Sequence, residues 1–247
     1  MLVDNRLIVA LDTDIDTAKR IVSETSGQIG IYKVGPVLWM SWGKDCLDFF
    51  AGQGVRVMID LKFHDIPNTV TGAIASLMES KSASVIWGMT VHASGGFAMM
   101  RNAALSVAKL PKVKRPLLFA VTVLTSLQEK DLFRIGINRS VESQVKRLSL
   151  MAMDSGFDGV VASAKEAGII RKACGKDFLI LTPGISLSGD LSKSTDQKRL
   201  ATPAQAVAAG ADHLIVGRDI YASADPSAAV DTALQAMSTF NRLKKGG

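Results

Sequence analysis

Short apolar runs alternate along the chain with longer stretches in which apolar residues recur every three or four positions. The runs, which read as strands, are Leu7–Leu11, Gly30–Val34, Val55–Leu61, Ser84–Val91, Pro116–Leu124, Gly159–Val161, Phe178–Leu181 and His213–Val216. Helical periodicity marks Asp14–Thr25, Asn68–Ser80, Phe97–Ala108, Ser140–Asp154, Ala164–Ala173, Thr202–Ala209 and a last helix near Pro226–Leu243. Strands alternating with helices of this length imply parallel βαβ units. Eight such units in 247 residues fit a single-domain α/β (β/α)8 TIM barrel spanning residues 1–247. A doubly wound open sheet usually carries a glycine-rich turn after its first strand. Residues 10–14 here read Ala-Leu-Asp-Thr-Asp, with no G-x-G-x-x-G, so the barrel is the better fit.

A barrel of this kind carries its active site at the C-terminal ends of its strands. The polar residues at those ends are Asp12, Lys33, Asp60, Lys62, Asp65, His92 and Thr125, followed by Pro183-Gly184 and Gly217-Arg218. Alternation along a strand sends Asp60 and Lys62 to the same side, which at the strand end is the mouth. Two acids bracket Lys62, and Asp12 and Lys33 arrive from neighbouring strands. Charges crowded into a partly dry cleft cost several kcal/mol unless they pair. A rim of structural ion pairs explains one D-x-K, whereas five alternating charges from three strands point to function. Opposite charge on both sides favours the protonated lysine, which can stabilise developing carbanionic charge and then protonate it.

Gly217-Arg218 offers a close-approach backbone and a fork-shaped cation after strand 8, where barrels often bind phosphate. The polar stretch Ile185–Ala201 is long for a strand-to-helix loop and is expected to be a lid over the phosphate, with Gln197 inside it. The histidines read as structural. His64 stands beside a better-placed donor, His92 opens a turn and is expected to make a structural hydrogen bond, and His213 lies at a strand start. Their dispersion forms no recognisable metal site. Lys62 between Asp60 and Asp65 also argues against a cation there.

Composition narrows the rest. With 47% apolar and 21% charged residues the chain is too apolar to be disordered, and no apolar run nears the roughly 18 residues of a membrane span. Cys46 and Cys174 form no C-x-x-C pair, and the N-terminal residues lack a signal-peptide layout, so a cytoplasmic protein is expected. The formal net charge of +6 includes the tail residues Arg242, Lys244 and Lys245. Aromatics are only 6% and the basic residues are scattered, which suits a small anionic substrate better than nucleic acid.

The run DLKFHDIPNT at residues 60–69 resembles the hallmark of the orotidine 5'-phosphate decarboxylase family. Six further segments resemble that family in the expected order. They are VALD at 9–12, KVG at 33–35, VHASGG at 91–96, AVTVLTS at 120–126, TPGI at 182–185 and VGR at 216–218. The resemblance implies a homodimeric barrel that converts orotidine 5'-phosphate to UMP and CO2 without metal or organic cofactor. By that resemblance Lys62 would stabilise and protonate the C6 carbanion-like centre, and Asp60 would lie against the scissile carboxylate. Asp12 and Lys33 would hold the ribose and complete the charge network. The whole run Asp60, Leu61, Lys62, Phe63, His64, Asp65, Ile66, Pro67, Asn68 and Thr69 would belong to the substrate site. Asp65, with Thr69, would reach into the partner's site. Thr125 would contact the pyrimidine, Pro183 would belong to the substrate site, and Gln197, Gly217 and Arg218 would hold phosphate and lid. Family members often carry Arg directly after TPGI, where this chain has Ser186. That leaves Arg218, Lys193 and Arg199 to supply the charge.

Two other readings compete. A Mg²⁺-dependent lyase acting on a sugar phosphate shares the D-x-K-x-x-D pattern, but such barrels place an acid where this chain has Lys33. A non-catalytic phosphate- or RNA-binding barrel would have no need of the Asp60, Lys62 and Asp65 cluster.

Overall fold

The computed structural model describes residues 3–188 and 199–245, with side chains as far as Ser238. Eight strands run in the order β1 (Asp4–Ala10), β2 (Ile29–Val34), β3 (Arg56–Phe63), β4 (Ile86–His92), β5 (Leu117–Val121), β6 (Gly159–Val161), β7 (Leu179–Thr182) and β8 (His213–Val216). All neighbours are parallel, and β1 pairs β8 through Leu7–Leu214, Ile8–Ile215 and Val9–Val216, closing the barrel. The (β/α)8 expectation is met.

The helices are α1 (Ile15–Thr25), α2 (Pro36–Trp42), α3 (Cys46–Gly52), α4 (Pro67–Met78), α5 (Phe97–Ala108) and α6 (Glu129–Arg134). They continue with α7 (Val141–Asp154), α8 (Ala164–Cys174), α9 (Pro203–Ala209), α10 (Arg218–Tyr221) and α11 (Pro226–Lys245). Asp14, Ser140, Ser163 and Thr202 cap α1, α7, α8 and α9, each side chain accepting from a first-turn backbone N–H. The sequence pattern marks neither α2 nor α3. Gly43, at φ +64°, breaks their common run, and each piece is only seven residues long.

Alternation along the strands builds two cores. Leu7 and Val9 face outward into a large apolar layer shared with the helices. Ile8, Ala10, Ile31, Met58, Phe119, Leu181 and Ile215 face inward and fill the barrel. Trp87 packs tilted against Phe119 at 5.1 Å and edge-on against His213 at 5.0 Å near the strand starts, closing that end. The next inward positions toward the C-terminal end are Asp12 after Ala10, Lys33 after Ile31 and Asp60 after Met58. The period of two that packs the barrel interior therefore also delivers the charges to its mouth.

No helix among the described residues is long and apolar enough to cross a membrane.

Candidate active site

A cavity of about 600 Å³ opens at the mouth, walled by Asp12, Lys33, Asp60 and Lys62 on one side. Its remaining walls include Val121, Val123, Thr125, Ala162, Pro183, Ile215, Gly217 and Arg218. The sequence-predicted Asp12, Lys33, Asp60, Lys62, Thr125, Pro183, Gly217 and Arg218 are thus brought together. Gln197 and Lys193 lie outside the described residues, as does most of the expected lid.

Four charges alternate across three strand ends. The Lys33 ammonium, only 7% exposed, stands 3.1 Å from Asp12 Oδ1 and 3.0 Å from Asp60 Oδ2. Lys62 Nζ reaches the same Asp60 Oδ2 at 3.0 Å. Burial pushes the Asp60 carboxyl up, but Lys33 and Lys62 outweigh it and hold the group below its ordinary value. Burial pulls the Lys33 ammonium down, yet Asp60 and Asp12 leave it above its ordinary value. Gly35 makes this approach possible. A Cβ there would stand 2.5 Å from Asp12 Oδ1 and 3.3 Å from Lys33 Nζ.

Strand β3 departs from the regular alternation expected of it. Ile59 pairs with Met89 and Phe63 with Val91, so four steps on β3 oppose two on β4. The surplus residues form a bulge, and Lys62 within it takes φ +49°, the sole positive φ of a non-glycine residue among the described residues. Asp60 and Lys62 still converge, through this bulge rather than through a straight pleat. Thr90 on β4, fully buried, ties the bulge together. Its hydroxyl donates to Asp60 Oδ1 at 2.9 Å and accepts the Lys62 backbone N–H at 3.0 Å. Sequence reasoning passed over Thr90, because a threonine inside a strand signals only β propensity.

The rest of the DLKFHDIPNT run does not line this cavity. Leu61 and Phe63 pack against the outer apolar layer. His64, Asp65, Ile66 and Pro67 line a separate open recess with Ser94 and Gly95. Asn68 and Thr69 stand exposed in the first turn of α4. His92 corrects an expectation. Its Nδ1 is buried without a hydrogen-bond partner among the described residues, and its ring lies 5.4 Å from that of His64. Burial, then His64 and Lys62, lowers its basicity.

Arg199 corrects another. Instead of facing the cavity it is 7% exposed, paired with Glu166 Oε1 at 2.7 Å and donating to the Val123 and Leu124 carbonyls at 2.9 and 2.8 Å. The charge of Glu166 and these two carbonyls, one of which also accepts the Leu127 N–H, draw it into the protein rather than toward the cavity. Ser186 does line the cavity, with its Oγ 3.2 Å from that of Ser188. Gly184, at φ +77°, turns the chain out of β7 into a bridge between Ile185 and Ala201. Asp219 accepts the Leu187 N–H at 2.6 Å, joining that segment to the Gly217-Arg218 turn. Among the described residues no group of three or more His, Cys, Asp or Glu is gathered to hold a metal ion.

Comparison with known proteins agrees with this fold. The profile of the orotidine 5'-phosphate decarboxylase / HUMPS family matches residues 5–233. The orotidine 5'-phosphate decarboxylase of Syntrophotalea carbinolica is 43% identical over 244 residues, covering 96% of this chain and 98% of its own. That of Chromobacterium violaceum is 43% identical, covering 95% and 92%. The crystal structure of the Lactobacillus acidophilus orotidine 5'-phosphate decarboxylase superposes with a TM-score of 0.78 at 33% identity, covering 95% of this chain and 99% of that one. With the family profile matching residues 5–233 and a relative 43% identical over nearly the whole length, the chain belongs to the orotidine 5'-phosphate decarboxylase / HUMPS family.

Proposed function

We propose that this protein decarboxylates orotidine 5'-phosphate to UMP and CO2. The observation that carries the reading is the Asp12–Lys33–Asp60–Lys62 chain of opposite charges in a cavity that Gly217 and Arg218 also line. Such a cavity accepts a ligand with a reacting carboxylate at one end and a phosphate at the other. The bond from C6 to the carboxylate breaks, CO2 leaves neutral, and the electron pair stays on C6. Lys62 Nζ, held 3.0 Å from Asp60, faces that pair and transfers its proton to C6. An ammonium gains interaction as charge concentrates on C6, so its attraction is stronger in the transition state than in the ground state. Asp60 stands beside the departing carboxylate, and Asp12 with Lys33 holds the ribose. Thr125 and Pro183 bound the pyrimidine, while Gly217 and Arg218 hold the phosphate, assisted by Gln197. Binding energy from the phosphate, remote from C6, positions the ring for reaction.

The same reading makes the protein a cytoplasmic homodimer in which Asp65, Ile66 and Thr69 serve the partner's cavity. Their support is negative and positive at once. They are exposed and away from their own cavity, and Val37, Met40, Ile66 and Phe97 leave apolar surface at 57, 86, 67 and 49% exposure beyond β2, β3 and β4. The free cysteines Cys46 and Cys174 suit a reducing compartment.

A Mg²⁺-dependent sugar-phosphate lyase is the second reading, and Lys33 weighs against it. Its ammonium already fills the place between Asp12 and Asp60 that a cation would take. The deciding assay follows the ultraviolet absorbance of orotidine 5'-phosphate mixed with EDTA-treated protein. Conversion to the UMP spectrum is expected. An unchanged spectrum from folded protein, with lyase activity returning on Mg²⁺, would replace the decarboxylase reading with the second.

A further inference from the structure

Thr90 does not itself line the cavity, yet both groups central to the proposed chemistry converge on it. A hydroxyl has one proton to donate and two lone pairs. The proton is directed to Asp60 Oδ1, and the Lys62 backbone N–H is received on a lone pair. An ionised carboxylate only accepts, so this direction of bonding suits the charged form of Asp60. The second bond answers a need created by the bulge. The Lys62 N–H has lost its regular place in the β3–β4 ladder, and the hydroxyl supplies a buried partner for it. A non-glycine residue at φ +49° is strained and persists only where its surroundings over-determine it. The Thr90 hydroxyl is part of that determination.

We propose that Thr90 is a positioning residue of this site, its hydroxyl locking the Asp60 carboxylate and the Lys62 backbone into one arrangement and so aiming the Lys62 ammonium. The kinetic part of the inference rests on the decarboxylase reading. The charged groups around Asp60 are Lys33 from β2 and Lys62 on its own strand, with Asp12 reaching it through Lys33. His92 stands two residues further along β4, and His64 lies against His92.

Thr90→Val keeps the shape without the hydroxyl, Thr90→Ser keeps the hydroxyl without the methyl, and Thr90→Ala lacks both. Removal of the hydroxyl is expected to lower kcat about 10- to 100-fold in the Val and Ala variants, with KM for orotidine 5'-phosphate within about threefold of wild type. Thr90→Ser is expected to retain kcat within about threefold. Ser and Ala differ by the hydroxyl alone, so that pair decides the matter even where the Val variant fails to fold. The acid limb of the kcat–pH profile is expected to move to higher pH in Ala and not in Ser, because Asp60 loses a donor to its charged form. Equal kcat in Ser and Ala, or a loss confined to KM, would overturn the proposal. A carbon-13 NMR titration of Asp60 without substrate gives a second decision. Its midpoint should rise in Ala relative to Ser, and coincident midpoints would sink the idea. That measurement holds even if the wild type leaves orotidine 5'-phosphate unchanged, a result that would count against the decarboxylase reading alone.

Discussion

Lys62 is asked to do two things at one atom: to carry positive charge beside Asp60 and to give a proton to carbon. Lys62→Ala is therefore expected to lower turnover by about 10⁴-fold or more, from the loss of both charge stabilisation and the acid, with the circular dichroism spectrum unchanged. A folded variant within tenfold of wild type would remove Lys62 from the proton-transfer role. The pH dependence follows from the signs. Asp60 lies below its ordinary value, so its contribution to stability is present above about pH 4 and fades as pH falls through its folded-state pKa. Lys33 lies above its ordinary 10.5, so its contribution is present below that pH and fades only at higher pH. Across the neutral range both groups keep their charges. Removing Lys62 takes away one of the two cations that hold Asp60 down, which moves the acid-unfolding midpoint toward higher pH.

At the scale of strands and helices, the end of the barrel away from the mouth carries its own clamp. Arg171 on α8 donates to the carbonyls of Gly175, Lys176, Phe178 and Gly210 and pairs with Asp212 at 2.5 Å. Asp212 also accepts the Ile180 N–H at 2.8 Å. One guanidinium thus joins the turns that lead into β7 and β8. Arg171→Ala is expected to cost about 2–4 kcal/mol and to lower the unfolding midpoint by roughly 5–12 °C, while kcat stays within about twofold. A midpoint within 2 °C of wild type would contradict this clamp. The sequence made much of this level readable. Apolar strands, caps such as Asp14 and Ser140, and the period-two step from Ile31 to Lys33 and from Met58 to Asp60 are local signals. What stayed hidden is non-local or conformational. The bulge at Lys62 has no glycine or asparagine to announce it, and the role of Thr90 depends on a neighbouring strand. Arg199 reads as a phosphate cation until Glu166, 33 residues earlier in the chain, is seen to hold it.

For the molecule as a whole, the question is whether one chain completes its own site. Asp65 faces a recess outside its own cavity, and Ile66 beside it is 67% exposed. Sedimentation is expected to give a particle of twice the 26.3 kDa chain mass. Ile66→Asp is expected to shift it to the single-chain mass and to lower kcat/KM at least about tenfold, since a buried interface charge is costly. Ile66 precedes α4 at its N-cap, where Asp is the better residue, so the substitution spares the fold. A wild-type protein that sediments at the single-chain mass and turns over substrate would refute the shared site.

The bridge between Ile185 and Ala201 brings the chain back to the point it left, through Ser186 N to Ala201 O and Ala201 N to Gly184 O, both 2.9 Å. Barrel geometry is thereby uncoupled from the number of residues enclosed. Closing a loop twice as long costs only about 0.6 kcal/mol. Six added glycine and serine residues between Ser188 and Arg199 are expected to lower the unfolding midpoint by no more than about 2 °C, a larger drop meaning that the bridge does not isolate the segment. Chain length is free to drift here between relatives, and the substrate end of the enzyme can be reshaped by insertion while the barrel beneath keeps its sequence.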